Sequence, residues 1–375
     1  IGDLCDKHGL TIRSVAKPYS RLTGRLAHNT PVSYNRLAAI VGILRRVIQI
    51  ICGYKYGKEW QTTQLAHFWC KIFDKTKPRY VIGIQPDASL CRAGKKRGVL
   101  VYDLQHGVIA DEHLWYGERY RVKTPSIDLP DGFLCWDESS AVALRKWAHL
   151  KGIDVRIIGH PWFQRFLLPD PEDLLVQQWT APGRIFNNNR PVILVSLQWG
   201  LERYYKFDGF NGVLNDALEK TILETADTYN WLIRLHPVQM CGVINKKVQN
   251  YLERTFSHLE SVEWCLCSEL PLPIVLKQVD LHITEHSSVV IEAGWMGVYS
   301  ALLNSHIRPG GILENLYKYE RDLGLATVLP QDANTIKRWI METLTKGKRE
   351  PSLLDFDKAL HAFINEIATI INKMR

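Results

Sequence analysis

The sequence lacks the short motifs that mark several common nucleotide- and metal-dependent enzymes. It contains no G-x-G-x-x-G, no Walker loop, no D-x-D pair and no H-E-x-x-H. Each of these motifs places glycines, a lysine, carboxylates or histidines where a phosphate or a metal ion needs them. Nothing in the sequence therefore indicates metal dependence, and we predict neither a metal nor another cofactor.

Paired cysteines are missing as well. Of the eight cysteines only Cys265 and Cys267 lie close together, and a C-x-C without a second pair is not a zinc framework. Cys52, Cys70 and Cys135 sit in apolar runs, where free thiols act as small core residues and indicate a reducing compartment. We expect a cytoplasmic protein, with contact to the inner face of the cytoplasmic membrane as a further option.

The chain has no stripe of basic residues with interleaved aromatics. Its net charge is +8, from 47 Lys and Arg against 39 Asp and Glu, but the basic residues are scattered. Because nucleic-acid backbones are bound by stripes of that kind, we predict no nucleic-acid partner. A nucleotide, an anionic glycan or a lipid surface fits the positive charge equally well.

No apolar run is long enough to span a bilayer. The strongest run, Leu37–Cys52, is too short and carries Arg45 and Arg46 in its middle. We favour a core helix here. The alternative is a helix that lies on a membrane with its arginines among the lipid head groups. The chain also begins without Met and without a signal-peptide pattern, and we expect a fragment or a processed chain.

Alternating strand and helix patterns are what the sequence does contain. A length of 375 residues suggests two domains, and apolar runs of strand length alternate with helical segments on both sides of a turn-rich stretch at 166–190. We predict an α/β protein with a domain at 1–165, helical over 30–75, a linker at 166–190 and a second domain at 191–375 with C-terminal helices. Two Rossmann-like parallel-sheet domains that face a central cleft would suit a two-part ligand.

The stretch Val279–Leu303 reads as one βαβ unit. Ser287 and Ser288 fall at the predicted start of the helix, where hydroxyl and backbone N–H groups favour an anion such as a phosphate. Glu292 follows one turn later on the same face and could accept hydrogen bonds from a ribose diol. The alternative is that the serines only cap the helix.

Two further strand ends in the second half carry polar residues. Gln198 and Gly200 follow the first strand, and Arg234, His236 and Pro237 follow a later one. Pro237 ends that strand, and the spacing of Arg234 and His236 places both side chains on one face. An Arg and a His beside a serine-capped helix indicate a diphosphate or phosphodiester pocket.

In the first half, a strand ends at Gln105-His106-Gly107. Gly107 permits a sharp turn that presents His106, whose pKa suits proton transfer near neutrality. His106 is our first candidate for a catalytic base, with Asp103 and Asp87 as alternatives. Either aspartate could instead be a nucleophile if the reaction retains configuration. A turn-stabilising hydrogen bond is the structural alternative for His106.

These motifs resemble those of one superfamily. RLHP at 234–237 with TEHSSVVIEAGWMG at 284–297 is similar to the donor half of bacterial GT-B glycosyltransferases that build surface polysaccharides, including sialyl- and Kdo-type enzymes. The S-S-x-x-x-E-A element is also similar to that of teichoic-acid glycerophosphotransferases, and QHG at 105–107 matches their HG element in part. The acidic D/E-D/E-G motif of the sialyl type is absent, which leaves the donor sugar open.

The resemblance implies a GT-B glycosyltransferase that uses a CMP- or UDP-sugar and a glycan or lipid-linked glycan acceptor. Peripheral membrane contact, or a place as one module of a larger polymerase, is compatible with it. A CDP-alcohol glycerophosphotransferase, a sugar-nucleotide epimerase and a non-catalytic glycan-binding protein remain alternatives. The predicted donor contacts are Gln198, Gly200, Arg234, His236, Pro237, Glu285, Ser287, Ser288 and Glu292.

Overall fold

A computed structural model of the protein describes residues 2–16, 31–111, 113–167, 170–181, 183–201, 212–350 and 356–372. The chain forms two compact units. The first unit comprises Ile1–Pro161 with Asp355–Arg375, and the second comprises Trp162–Leu354.

The first unit is built on a parallel sheet of four strands in the order β1-β2-β3-β4. The strands are β1 Tyr80–Gly83, β2 Leu100–Leu104, β3 Gly132–Cys135 and β4 Asp154–Ile157. Apolar runs in the sequence predict strands at Tyr80–Ile84, Gly98–Leu104, Gly132–Trp136 and Asp154–Ile158. Each observed strand begins and ends within two residues of these bounds, because Gly, Pro or a polar turn follows each run.

Helices surround this sheet and continue into the second unit. In chain order the α-helices are α1 Gly2–Lys7, α2 Asn35–Cys52, α3 Tyr54–Thr76, α4 Ala88–Arg97, α5 Glu118–Arg121, α6 Glu138–Ala148, α7 Pro161–Leu167, α8 Leu174–Thr180, α9 Asp216–Thr225, α10 Gly242–Phe256, α11 Leu266–Glu269, α12 Leu272–Leu276, α13 Val289–Trp295, α14 Lys318–Asp322, α15 Ala333–Leu344 and α16 Phe356–Asn372. Among the described residues, no helix is both long enough and apolar enough to cross a bilayer.

Both faces of the first sheet are covered, which explains the nearly continuous apolar strands. Along β2, Tyr102 and Leu104 face the C-terminal helix α16, whereas Val101 packs on the other face against α3 and α4. The apolar side of α16 is formed by buried residues at helical spacing, namely Leu360, Phe363, Ile364 and Ile367.

Helix α16 therefore belongs to the first unit, whereas we expected it in a domain spanning 191–375. Helical spacing shows that α16 must bury one face, but it carries no information about which sheet receives that face. The stretch predicted as a linker at 166–190 also contains the helix α8.

Helix α2 does not lie in the core, contrary to the interpretation we favoured. Only Ala38 and Val41 are buried, and the other side of the helix is exposed. We predicted a helical stretch that starts at residue 30. That residue lies outside the described residues, and helix α2 begins at Asn35.

The second unit contains a parallel sheet of six strands in the order β7-β6-β5-β8-β9-β10. The strands are β5 Val192–Ser196, β6 Asn230–Arg234, β7 Val262–Glu263, β8 Leu281–Thr284, β9 Tyr299–Leu302 and β10 Ala326–Val328. Counted within the unit, this order is 3-2-1-4-5-6, the order of a Rossmann fold. The direction of winding reverses between β5 and β8, and a doubly wound sheet binds ligands at that point.

From its apolar residues we expect a strand over Val262–Cys267. The observed strand β7 has only two residues, and helix α11 begins at Leu266. The Glu263 carboxylate accepts hydrogen bonds from the backbone N–H groups of Leu266 and Cys267, which stabilises the start of that helix. Eight of the helices given above were not predicted, namely α1, α4, α5, α7, α8, α10, α11 and α14.

The packing of α16 yields a first test. Ile364 is fully buried against the sheet, so Ile364→Ala should lower the free energy of unfolding by about 2–5 kcal/mol. Asn365→Ala, at the next and exposed position, should change it by less than ~0.5 kcal/mol. In the Ile364→Ala variant, amide hydrogen exchange should show reduced protection of β2 and unchanged protection of β5. Lost protection in β5 with β2 unchanged would contradict the assignment of α16 to the first unit.

Candidate functional site

The carboxyl ends of β5, β6 and β8 form the candidate site. Strands β6 and β8 both pair with β5, so their ends lie about 10 Å apart at the usual strand spacing of ~4.8 Å. All three strands are parallel, so the segments after them emerge at one edge of the sheet, beside the switch point. Every residue predicted to contact a donor, except Glu292, lies in these segments or at the end of a strand.

Gln198 links the three strand ends. Its side-chain Oε1 accepts the backbone N–H of His286 at 2.7 Å, which ties the end of β5 to the end of β8. Its carbonyl oxygen accepts from Gln239 Nε2 at 3.1 Å, which ties β5 to the turn after β6. Gln198 therefore holds the frame of the site. Gly200, two residues later, has φ +76°, a conformation that favours glycine.

His236 sits in a closed turn after β6. Pro237 begins a 3-10 helix, Pro237–Met240, and His236 caps it by accepting the N–H of Val238 on Nδ1 at 3.2 Å. Gln239 Oε1 accepts the N–H of His236 in return, at 2.8 Å. Because Nδ1 accepts, the proton of a neutral imidazole lies on Nε2, which is then a hydrogen-bond donor.

The two serines before α13 have different roles. Ser287 Oγ accepts the N–H of Val289 at 3.4 Å, whereas Ser288 makes no side-chain cap hydrogen bond. The cap interpretation therefore fits Ser287 and not Ser288. Ser288 is half-buried at the edge of the sheet.

The backbone around these serines differs from our expectation of free N–H groups. The N–H of Ser287 donates to Thr284 Oγ1 at 3.3 Å, and those of Val290 and Ile291 donate to the carbonyl oxygens of residues 287 and 288. The turn uses these donors internally because it is tight and α13 has only seven residues. Side chains, rather than a helix tip, are the groups this edge offers to a ligand.

His286 is a site residue that the sequence analysis did not single out. Its Nδ1 lies 2.9 Å from Asn304 Nδ2, and its carbonyl oxygen accepts the hydroxyl of Tyr317 at 2.8 Å. Burial, with a smaller contribution from the neighbouring charge of His306, lowers the pKa of His286 to about 4. The ring is therefore neutral at pH 7, and the amide donor on Nδ1 places its proton on Nε2.

The charges of the half-buried Arg234 and the buried Glu292 influence each other. The Arg234 guanidinium donates through Nη1 to the carbonyl oxygens of Cys267 and Leu270. Burial lowers the pKa of Arg234, and the charges of Cys267 and Glu292 oppose that shift. Burial raises the pKa of Glu292 to about 8, against the opposing effect of Arg234, so this carboxyl group is mostly protonated at pH 7.

Glu285 is tied into the scaffold at the same edge. It is buried, and its Oε1 accepts from Asn215 Nδ2 at 2.6 Å. Asn215 in turn caps α9 by accepting the N–H of Leu218, so Glu285 connects the end of β8 to that helix.

In the first unit, His106 follows β2 in a turn that Gln105 stabilises. Gln105 Oε1 accepts the N–H of Trp136 at 2.7 Å, and its Nε2 donates to the Gly107 carbonyl at 3.0 Å. Gly107 has φ +77°, which the sharp turn requires. Gln105 is buried and His106 is exposed, so the turn presents the imidazole to solvent.

The two alternative candidates for a base have structural partners. Asp103 is fully buried, and its oxygens accept from the Gln85 N–H at 2.9 Å and from Trp115 Nε1 at 2.8 Å. Asp87 caps α4 by accepting the N–H of Leu90 at 3.0 Å. Both carboxylates are better explained as supports of the sheet edge, and His106 remains the candidate base.

Two more histidines lie near His106, which the sequence did not reveal. The His160 ring stacks on Trp136 with a centroid distance of 4.3 Å and an interplanar angle of 31°. Burial lowers the pKa of His160 to about 4, and the charge of His106 contributes to that shift. Burial and His106 also lower the pKa of His113. From the sequence we interpret the dipeptide His160-Pro161 as hinge or linker geometry; in the structure the imidazole follows β4, at the same edge of the sheet as His106.

Within the described residues, no group of three or more His, Cys, Asp or Glu side chains is arranged to hold a metal ion.

The two parallel sheets and the site at the strand ends define the class of fold. The protein is an α/β protein with the GT-B fold, built of two Rossmann-like units, as the sequence predicted. No protein-family model matches the chain, and no curated protein matches it by sequence.

Solved structures with this fold include two epimerases and a polymerase. UDP-GlcNAc 2-epimerase from Methanocaldococcus jannaschii has a TM-score of 0.56 and 13% identity, covering 83% of this chain and 82% of the epimerase. The enzyme from Neisseria meningitidis, solved with UDP-GlcNAc bound, has a TM-score of 0.55 and 14% identity over 92% of this chain and 93% of its own. A variant of the wall teichoic acid polymerase TagF has a TM-score of 0.52 and 13% identity over 79% and 72%. At these identities the likeness establishes the fold alone.

The different roles of the two serines can be tested by stability. Ser287→Ala removes the cap of α13 and should lower the free energy of unfolding by about 0.5–1 kcal/mol in urea titrations. Ser288→Ala removes no cap hydrogen bond and should change it by less than ~0.5 kcal/mol. Equal losses in the two variants would show that both hydroxyls serve the scaffold.

The raised pKa of Glu292 predicts a pH effect on stability. The unfolded carboxyl group loses its proton near its ordinary pKa, and the folded one retains it to about pH 8. Stability should therefore fall as pH rises through this window, by up to about 1.4 kcal/mol per pH unit. Glu292→Gln should gain stability relative to wild type between pH 5 and pH 8, measured by denaturant unfolding.

The exposed Glu342→Gln, in the same unit, serves as the matched control and should run parallel to wild type at every pH. If the stability of Glu292→Gln followed that of wild type at every pH, the carboxyl group of Glu292 would have to ionise in the folded protein as it does in water.

Proposed function

We propose that this protein is an enzyme that binds a sugar nucleotide at the carboxyl edge of the second unit and transfers the sugar to a growing bacterial surface glycan. One observation carries the proposal. The Rossmann strand order has its switch point between β5 and β8, and Gln198 gathers the polar segments after β5, β6 and β8 there. A CMP- or UDP-sugar is the donor class we favour.

Side-chain hydrogen-bond donors would hold the phosphate groups of the sugar nucleotide. Nδ1 of His236 accepts a backbone N–H, and Nδ1 of His286 faces the amide nitrogen of Asn304. In both rings Nε2 therefore carries the proton. The Ser288 hydroxyl supplies a further donor, because it is not used as a cap. Hydrogen bonds to phosphate oxygens from groups fixed in this way stabilise a departing nucleotide, because the donors need not reorganise as charge develops.

Glu292 would receive the ribose. A carboxyl group with a pKa near 8 is costly to ionise when buried, but two hydroxyl donors from a diol favour the carboxylate. Arg234, whose charge opposes the raised pKa of Glu292, would stabilise the same ionised form. Binding of a ribonucleotide would therefore release a proton at pH 7.

The acceptor would bind at the carboxyl edge of the first sheet, where His106 is exposed. Transfer with inversion requires one base to take the proton of the acceptor hydroxyl, and an imidazole suits that step near neutral pH. The half-buried His160, whose ring stacks on the buried Trp136, lies at the same edge of the sheet.

Two related activities share the proposed donor site. A sugar-nucleotide epimerase is favoured by the extent of the likeness to the Neisseria meningitidis UDP-GlcNAc 2-epimerase, which covers nearly the whole of both chains. Transfer of a polyol phosphate from a CDP-alcohol is favoured by the likeness to the wall teichoic acid polymerase TagF together with the QHG, RLHP and S-S motifs.

Nucleotide binding is the first thing to measure. A thermal-shift panel of CMP, CDP, UDP, GDP and UDP-GlcNAc should show stabilisation by at least one nucleotide, about 2.7 kcal/mol at 100 times its dissociation constant. Ser288→Ala and His236→Asn should weaken that binding at least ~10-fold, a loss of about 1.4 kcal/mol. Asparagine can still cap the turn at 236, so the second variant should fold. The exposed Ser257→Ala is the control and should bind normally.

Full binding by both variants would refute the donor site. Product analysis then separates the activities. An epimerase converts its sugar nucleotide with no acceptor present, a glycosyltransferase adds sugar mass without phosphorus, and a polyol-phosphate transferase adds phosphorus to the acceptor.

A further inference from the structure

Helix α2 carries an exposed apolar stripe. The stripe follows helical spacing, so its side chains project from one side of an 18-residue helix about 27 Å long. Its members are Ile40, Ile43, Leu44, Val47, Ile50 and Ile51. Ile43 is 63% exposed and Ile50 is 86% exposed.

The opposite side of α2 packs on α3 and is more polar than the outward stripe. Arg45 Nη1 donates to Gln61 Oε1 on α3 at 3.1 Å, and Gly57 on α3 allows the close approach of Gln49. Arg45 Nε and Gln49 Nε2 are buried with no hydrogen-bond partner among the described residues. A surface helix in water usually turns its aliphatic side chains inward, whereas α2 exposes six of them and buries polar atoms of Arg45 and Gln49.

Helix α3 anchors the hairpin of α2 and α3 to the first unit. Trp69, Cys70 and Phe73 of α3 are buried against Leu90 and Cys91 of α4. Only Ala38 and Val41 of α2 are buried, so the packing that anchors the hairpin leaves the stripe uncovered within the first unit.

The charge around the stripe has one sign. Residues 31–58 contain no Asp or Glu, and their five basic residues are Arg36, Arg45, Arg46, Lys55 and Lys58. All but Arg45 are exposed. Tyr54 and Tyr56, exposed at the tip of the hairpin, are amphipathic residues of the kind enriched at membrane–water interfaces.

We propose that α2 lies in the head-group region of an anionic lipid bilayer, with the stripe of Ile40, Ile43, Leu44, Val47, Ile50 and Ile51 among the upper acyl carbons. Basic residues that border an apolar helix face bind anionic head groups while the aliphatic side chains are removed from water. A symmetric pair of copies is disfavoured as the cover of this stripe, because it would bring together the like charges of residues 31–58, and the nearby Glu59 is already paired with Arg92.

Vesicle flotation tests the proposal with the intact protein. Wild type should bind phosphatidylcholine vesicles that contain phosphatidylglycerol, should bind pure phosphatidylcholine at least tenfold more weakly, and should be released by high salt. Ile43→Asp/Ile50→Asp should reduce binding at least tenfold, since both side chains point outward and their replacement leaves the fold intact. Arg46→Glu/Lys55→Glu should weaken binding to the anionic vesicles.

The matched control is Val243→Asp, which places the same charge at an apolar side chain on α10 that is 84% exposed; it should bind as wild type does. Three results would overturn the proposal: no binding to anionic vesicles, binding that Ile43→Asp/Ile50→Asp leaves unchanged, or a concentration-dependent dimer in solution that this double variant abolishes. Thermal shifts with nucleotides should be the same for the double variant and wild type, so membrane binding and the proposed donor site are tested separately.

Discussion

The hydrogen bonds of Gln198 are the constraint on which the candidate site depends. They join the end of the central strand β5 to the segments after β6 and β8, at the place where the winding of the sheet reverses. A parallel sheet brings strand ends to one edge, but the loops beyond them would be free to diverge without such links. Gln198 fixes the backbone of residue 286 and, through Gln239, the turn that contains His236. The side chains proposed to meet a ligand therefore project from a braced frame.

Burial then sets the electrostatics of that frame. Burial lowers the pKa of His286 to about 4 and raises that of Glu292 to about 8, so both groups can donate hydrogen bonds near pH 7. Arg234, at the end of β6, is positively charged, but its Nη1 donates hydrogen bonds to the carbonyl oxygens of Cys267 and Leu270. Because desolvation shifts the pKa values of His286 and Glu292, a bound ligand could change their protonation and so make the charge of the site complementary to its own.

Local sequence patterns predicted much of the fold and less of the site. The strands were readable because apolar runs of four or five residues end at Pro, Gly or polar turns, as at Arg234-Leu-His236-Pro237. Strand order was not readable, since the pairing of β5 with β8 joins residues almost ninety positions apart. The strand prediction at 262–267 was wrong, because the Glu263 carboxylate accepts hydrogen bonds from the first N–H groups of a helix within this apolar run. Helix α10 was missed although Val248, Tyr251, Leu252 and Phe256 follow helical spacing.

The same limit applies to individual site residues. Ser287 and Ser288 have the same chemistry, and only their geometry shows that the first accepts a cap hydrogen bond and the second does not. His286 stood between two predicted site residues, but its importance comes from Asn304 and Tyr317, which are distant in sequence. Asp103 was a reasonable candidate for a base until Gln85 and Trp115 were found to occupy its oxygens. Long-range partners decide such roles, and a single sequence does not show them.

If a nucleotide binds where β5, β6 and β8 end, amide hydrogen exchange should change there when a saturating nucleotide is added. We expect increased protection in the segments 197–201, 235–240 and 285–291, which come directly after these three strands. Increased protection confined to the first unit, or to strands β7 and β10 at the outer edges of the second sheet, would contradict it.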